Sequence, residues 1–208
     1  FMAYLGTERL ILHSETESVL QFKEQTGCLA VGEVGGKRPP GFDFGNSPAQ
    51  ILAAGRDTFS GRTVAQRTSA GTQGAAAAAQ QADAVILGSF VTAGAIARYV
   101  QNLSPSPEVV SLVAMGSAGI RVTPDDEECA AYIEHALTGR PHDHVRALRD
   151  IVDDECTQQF LRGDHDYQPA ADPVYCLQRD LFDFVLVATL QDGQLAARRI
   201  DVPEVPRI

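Results

Sequence analysis

Residues 84–103 read "AVILGSFVTAGAIARYVQNL". The first six form a continuous apolar run closing on glycine and serine, the pattern of a strand covered on both faces. The remainder reads as a helix. A buried strand followed at once by a helix is the repeating unit of an α/β protein, and the same alternation extends to either side. Upstream, "RLILH" (9–13), "CLAVG" (28–32) and "TVAQR" (63–67) read as strands, and downstream "VVSLVAM" (109–115) is a second continuous run. Between and after them lie four further helical stretches. "TESVLQFKEQTG" has a capping-type Thr16 and stops at Gly27. "SPAQILAAG" has Ser47 as N-cap and Pro48 at the first helical position, and "TQGAAAAAQQ" follows. "TPDDEECAAYIEHALTG" places Thr123 at an N-cap and acids in the first turn, where they suit the helix dipole.

These elements predict a three-layer α/β/α arrangement around a mainly parallel or mixed sheet. From about residue 140 the pattern changes. "HDHVRALRDIVDDECTQQFL" and "DPVYCLQRDL" read as helices, and "FDFVLVATL", "QDG" and "QLAARRIDV" as a β-hairpin turning at Asp192–Gly193. Residues 140–208 are expected to be a C-terminal extension packed on a single domain of residues 1–208. The chain opens "FMAYLGTERL", with no initiator Met, which predicts a preceding strand–helix segment outside this sequence.

The chain has 208 residues, a net charge of −10 and a pI near 4.9. An acidic surface argues against nucleic acid or an anionic membrane as partner, because both reward Lys and Arg. No apolar run approaches the roughly 20 residues of a membrane helix. Four cysteines stand far apart with no CxxC pair, the usage of reduced thiols in a cytoplasmic protein.

Ligands of α/β sheets collect beyond the carboxyl ends of strands. Four predicted strand ends here lead into Gly, Ser, Thr and acidic residues: Glu33 and "GFDFGNSP" (41–48), "TSAGT" (68–72), "FVTAG" (90–94), and "GSAG" with "TPDDEEC" (116–129). Thr68, Ser69, Gly71 and Thr72 open a helix whose amides and hydroxyls could hold a phosphate or sulfonate; ordinary capping would use the same residues. Glu33, Asp43, Asp125 and Asp126 are carboxylates at loops or helix starts. They would suit Mg2+, which uses one or two carboxylates plus ligand phosphate, or they are solvated caps. "HDH" (142–144) and "DHD" (164–166) are expected at the solvated surface, and Cys129 in the core.

At these residues the chain resembles the 2-phosphosulfolactate phosphatase family. The likeness is carried by "GE" with its glycines and "GFDFGNSP", by "TSAGT", "ILGSFVTAGAIA" (86–97), "DDEECAAYI" (125–133), "DPVYC" (172–176) and the closing "FDFVLVATLQDGQL". It implies a Mg2+-dependent hydrolase that removes phosphate from 2-phosphosulfolactate, a step toward coenzyme M. Glu33, Asp43, Asp125 and Asp126 would then do acid–base work, with Glu33, Asp43 and Asp126 holding the metal. Asn46, Ser47, Thr68, Ser69, Gly71 and Thr72 would contact a small anionic phosphorylated substrate, and the chain could form a homodimer. The family pattern has Arg where this chain has Val34, Asn at Ala70, and Asn-Ala-Gly where this chain reads "AMG" (114–116); its early Asp-Val/Leu-Arg-Ala strand would precede Phe1. Arg38 and Arg67 are candidates to replace the lost Arg. A non-catalytic homologue that still binds a small phosphorylated or sulfonated anion is the alternative.

Overall fold

The computed structural model describes residues 1–203. Six strands form one mixed sheet: β1 (Arg9–Leu12), β2 (Leu29–Gly32), β3 (Thr63–Arg67), β4 (Val85–Ile86), β5 (Phe184–Gln191) and β6 (Gln194–Asp201), in the order β2-β3-β1-β6-β5-β4. β2, β3 and β1 are parallel; β6, β5 and β4 join them by antiparallel ladders. The closing hairpin is therefore part of the sheet itself, inserted between β1 and β4.

Cross-strand partners share a face, so register assigns the layers. Ala30, Ala65, Ile11 and Ala196 line one face, where α1 (Thr16–Thr26) contributes Val19 to a cluster with Ala30 and Ala65. Val185 and Val187 continue that face under α5 (Ala93–Gln101), α6 (Pro124–Thr138) and α7 (His144–Asp153). Leu10, Leu12, Val31 and Val64 line the other face. They meet Ile51 of α2 (Pro48–Ala54), Phe59 of α3 (Arg56–Phe59) and Ala75 of α4 (Gly71–Ala78). Phe59 has no exposed surface, and its burial contributes on the order of 2–3 kcal/mol. The expected α/β/α layering holds, and the sheet is mixed.

Local chemistry follows the sequence in most elements. Ser47 caps α2 by accepting from the Gln50 amide, and α1 ends on Gly27 in the left-handed conformation. Thr16 is already helical, with Glu15 at the N-cap position; Thr123 holds its N-cap position without a side-chain cap bond. The stretch 142–161 is two helices, α7 and α8 (Glu155–Arg162). Asp154 turns extended between them and caps α8 at the Cys156 amide. The second short helix, α9, covers Ala171–Cys176.

Two expectations change. The run 109–115 is not a buried strand: Val109 and Val113 are 78% and 69% exposed, and the segment stands outside the sheet. A continuous apolar run becomes a buried strand only where a neighbour offers a ladder and both faces are covered. At this margin β4 carries just two paired residues, Val85 and Ile86. The second change concerns direction. β4 is antiparallel to β5, which lies two antiparallel steps from β1, so β4 runs opposite to β1, β2 and β3. Its carboxyl end, with "FVTAG", emerges at the sheet edge opposite to Glu33 and "TSAGT".

Candidate functional site

Gly32 closes β2 opposite Arg67, the last residue of β3, so the turns after both strands run side by side. Gly32 has φ +146°, and a Cβ there would overlap the Arg67 carbonyl, so no other residue allows this approach. Glu33 reaches across: one carboxylate oxygen accepts from the Ser69 amide at 2.5 Å, the other from the Ser69 hydroxyl and the Gly36 amide, both at 2.8 Å. The Gly35 amide donates to the Ser69 oxygen at 3.0 Å. Arg67 donates to the carbonyls of Glu33 and Ser14, and Arg38 to the carbonyl of Asp43.

Thr68 and Thr72 cap each other. The Thr68 amide donates to the Thr72 hydroxyl oxygen at 2.9 Å, and the Thr72 amide to the Thr68 hydroxyl oxygen at 3.0 Å. These hydroxyls, expected to contact an anion, thus secure the first turn of α4. Glu33 supplies a negative charge beside that same helix N-terminus, where the dipole favours one. Ala70 occupies the N-cap position with no side-chain cap, and among the described residues the Ala70 and Gly71 amides have no protein acceptor.

The other expected residues take different places. Asn46 joins this edge through a long 3.5 Å contact from the Gln66 amide group. Ser47 lies deeper: its hydroxyl donates to Asp172 at 2.8 Å, and the Ala49 amide donates to the same oxygen at 2.9 Å. Asp126 accepts from the Gly116 amide at 2.5 Å, and the adjacent Met115 packs against Gly74 one turn into α4. Burial pushes the Asp126 carboxyl above its ordinary value, with the neighbouring Asp125 charge adding to the shift. Asp125 itself is exposed in the first turn of α6.

Asp43 is committed elsewhere. It pairs with Lys23 of α1 at 2.7 Å and accepts the Ala30 amide at 2.8 Å, closing the outer edge of β2. Both oxygens of Glu33 and both of Asp43 are therefore engaged by protein donors. Among the described residues no group of three or more His, Cys, Asp or Glu could hold a metal. Glu33, Asp43 and Asp126 do not fit as a shared Mg2+ cage.

Asp172 is the site residue that strand-end reasoning missed. It is 4% exposed, and burial raises its pKa, opposed by the Ala49 and Ser47 bonds. Its sequence signal was an Asp-Pro pair opening a short helix, which says nothing of a partner 125 residues away. The "HDH" expectation is also corrected. His142 is 4% exposed at its side chain and packs in a cluster with Tyr132, His135 and His144, its ring tilted against each, because α7 folds back on α6. Cys129 packs at the margin of the core, and burial pushes its thiol up to about 12. The described cysteines are all free, and no described helix is long and apolar enough to cross a membrane.

A family model described as 2-phosphosulpholactate phosphatase matches residues 2–191. Three similar proteins are each named as a probable 2-phosphosulfolactate phosphatase. One from Thermus thermophilus is 41% identical over 114 residues, 55% of this chain and 46% of that protein. One from Deinococcus radiodurans is 38% identical over 133 residues, covering 64% and 53%. One from Carboxydothermus hydrogenoformans is 28% identical over 201 residues, covering 91% and 80%. The first two alignments span about half the length of those relatives.

Proposed function

Because the chain belongs to the 2-phosphosulpholactate phosphatase family, we propose that it hydrolyses a small anionic phosphoester resembling 2-phosphosulfolactate. The family match over nearly the whole chain carries the reading. What supports its location is the pairing of Glu33 with the "TSAGT" turn, beside two free amides at a helix N-terminus.

In this reading the Ala70 and Gly71 amides and the α4 dipole receive the phosphoryl oxygens, fixed donors of the kind that stabilise charge in phosphoryl transfer. Glu33 sets the Ser69 amide and hydroxyl and takes a proton from the attacking water. Asp126, whose raised pKa keeps more of it protonated than an ordinary Asp, serves the leaving oxygen as acid. Asn46 and Gln66 line the approach, and Asp172 holds the α2 end of the site through Ser47. Asp43 has a structural part. A Mg2+ requirement belongs to the same proposal, with substrate phosphate oxygens supplying ligands that no described trio of side chains offers.

The test is phosphate release from 2-phosphosulfolactate and a panel of small phosphoesters, with Mg2+ or with chelator, by the wild type, Glu33→Gln and Ser69→Ala. Turnover lost in Glu33→Gln supports the proposal. Binding without turnover in the wild type would establish the anion-binding alternative, toward which the Val34 and Ala70 departures and the internally bonded threonines point. Equal turnover in all three proteins would overturn the location.

A further inference from the structure

A cleft of about 470 Å³ opens at the sheet edge opposite to Glu33 and Ser69, between α6, α7 and the chain entering β5. Tyr132, His144, Leu148, Leu177, Arg179 and Asp180 line it. That volume is within the range of small-molecule sites, roughly 300–1,000 Å³.

Arg179 and Asp180 bring one charge of each sign to it, and the two differ in how they are engaged. The Arg179 guanidinium lies 5.1 Å from the Tyr132 ring centroid, a cation–π contact that positions the group without neutralising it. Among the described residues Arg179 has no ion-pair partner. The carboxylate next to it in sequence is already spent: Asp180 accepts the Gly94 amide at 2.6 Å and the Tyr132 hydroxyl at 2.5 Å. Asp180 holds a left-handed φ of +52°, costly for a non-glycine residue and sustained by those two bonds. Leu148 and Leu177 supply an apolar wall. A free guanidinium in a concavity is the recognition element for an oxyanion, and it is conspicuous in a chain of net charge −10.

We propose that this cleft binds a small organic oxyanion, its anionic head on Arg179 and its carbon body against Leu148 and Leu177. The site is separate from the one assigned to catalysis and stands whether or not that assignment does.

Phenylphosphonate, which a phosphatase cannot hydrolyse, is the probe, with methylphosphonate as its small counterpart; equilibrium dialysis reads stoichiometry and affinity. The expected result is phenylphosphonate binding that persists in Glu33→Gln and Ser69→Ala. It weakens at least tenfold in Arg179→Gln, the loss of one charge-assisted hydrogen bond. Leu148→Ala weakens phenylphosphonate several-fold and leaves methylphosphonate unchanged. Arg179→Lys keeps the charge without the fork, gives an intermediate affinity, and serves if the glutamine variant is unstable. Phenylphosphonate bound equally by wild type and both Arg179 variants would overturn the proposal. So would binding lost in Glu33→Gln, or no binding to the wild type at all.

Discussion

The two edges of the sheet spend their polar groups differently. At the carboxyl ends of β2 and β3, almost every donor and acceptor is engaged by another: Glu33 with Ser69 and Gly36, Thr68 with Thr72, Arg67 with two carbonyls. At the carboxyl end of β4, Asp180 accepts from Tyr132, and among the described residues Arg179 has no ion-pair partner. A closed network fixes geometry and leaves little for a ligand beyond the Ala70 and Gly71 amides. An open one offers charge and lacks the crowded carboxylate–hydroxyl arrangement of acid–base work. The contrast teaches that preorganisation and availability are separate properties, here placed at opposite ends of one sheet.

The sharpest way to break the contrast is to open the closed edge. Glu33→Ala orphans the Ser69 amide, the Ser69 hydroxyl and the Gly36 amide together. Phosphate release is expected to fall roughly a hundredfold or more. Stability falls with it, by about 1–3 kcal/mol, the cost of leaving polar partners unmet. Arg179→Gln at the open edge, with no described ion pair to lose, should shift stability by less than about 0.5 kcal/mol. Urea melts of the two variants beside phosphate-release assays make the comparison. Similar stability losses would mean the edges are alike.

The brace behind the closed edge affects stability alone. Asp172→Ala removes an acceptor shared by Ser47 and the Ala49 amide in a buried position, with an expected loss of about 2–4 kcal/mol. The pH dependence has a definite sign. Burial raises the folded pKa of Asp172 above its unfolded value of about 4. Its proton-linked contribution is therefore fully present below the unfolded pKa and is lost as pH rises through the folded pKa. Asp172→Asn cannot titrate, so the stability advantage of wild type over this variant should shrink between pH 4 and 7. An advantage that grows with pH would mean the carboxylate is better solvated than its burial indicates.

What the sequence disclosed and what it withheld divide along the same physical line. That Glu33 and Ser69 belong to strand ends was legible, because strand ends are visible in a linear pattern; that they bond to each other was not, because it depends on β2 and β3 lying side by side. Ser47, Gly27 and the hairpin turn at Asp192–Gly193 were legible because capping and turn chemistry are local. The occupation of Asp43 by Lys23 was not, since the pair spans 20 residues and nothing in either residue type announces it. Nor was the direction of β4, which the hairpin fixes by entering the sheet between β1 and β4 from a hundred residues further on.

Gly74→Ala probes a contact of intermediate weight. A Cβ there would collide with the Met115 side chain, the seam through which the Gly116–Asp126 loop meets α4. Overpacking costs about 1–3 kcal/mol, and the gain in helix propensity returns up to about 1. The net expectation is a loss near 1 kcal/mol with a fall in phosphate release, because Asp126 moves with its loop. Met115→Ala in the same chain should relieve the clash, so the two changes together cost less than their sum. Strict additivity in thermal melts would disconnect Asp126 from the closed edge.

The smallest expected effect decides most about the fold. "AVILGS" and "VVSLVAM" are nearly equivalent as sequence, yet the first pairs with β5 and the second stands outside the sheet with its valines open. Composition cannot separate them, because a ladder partner is a property of the neighbour and not of the run itself. Val109→Ser and Val113→Ser should therefore each change stability by no more than about 0.5 kcal/mol, as at any exposed position. In a strand buried on both faces the same truncations would cost about 1–3 kcal/mol apiece, through lost transfer energy and an introduced hydroxyl. Chemical denaturation resolves the two ranges. A loss in the upper range would mean that the run is covered in solution, and would move the margin of the sheet outward past β4.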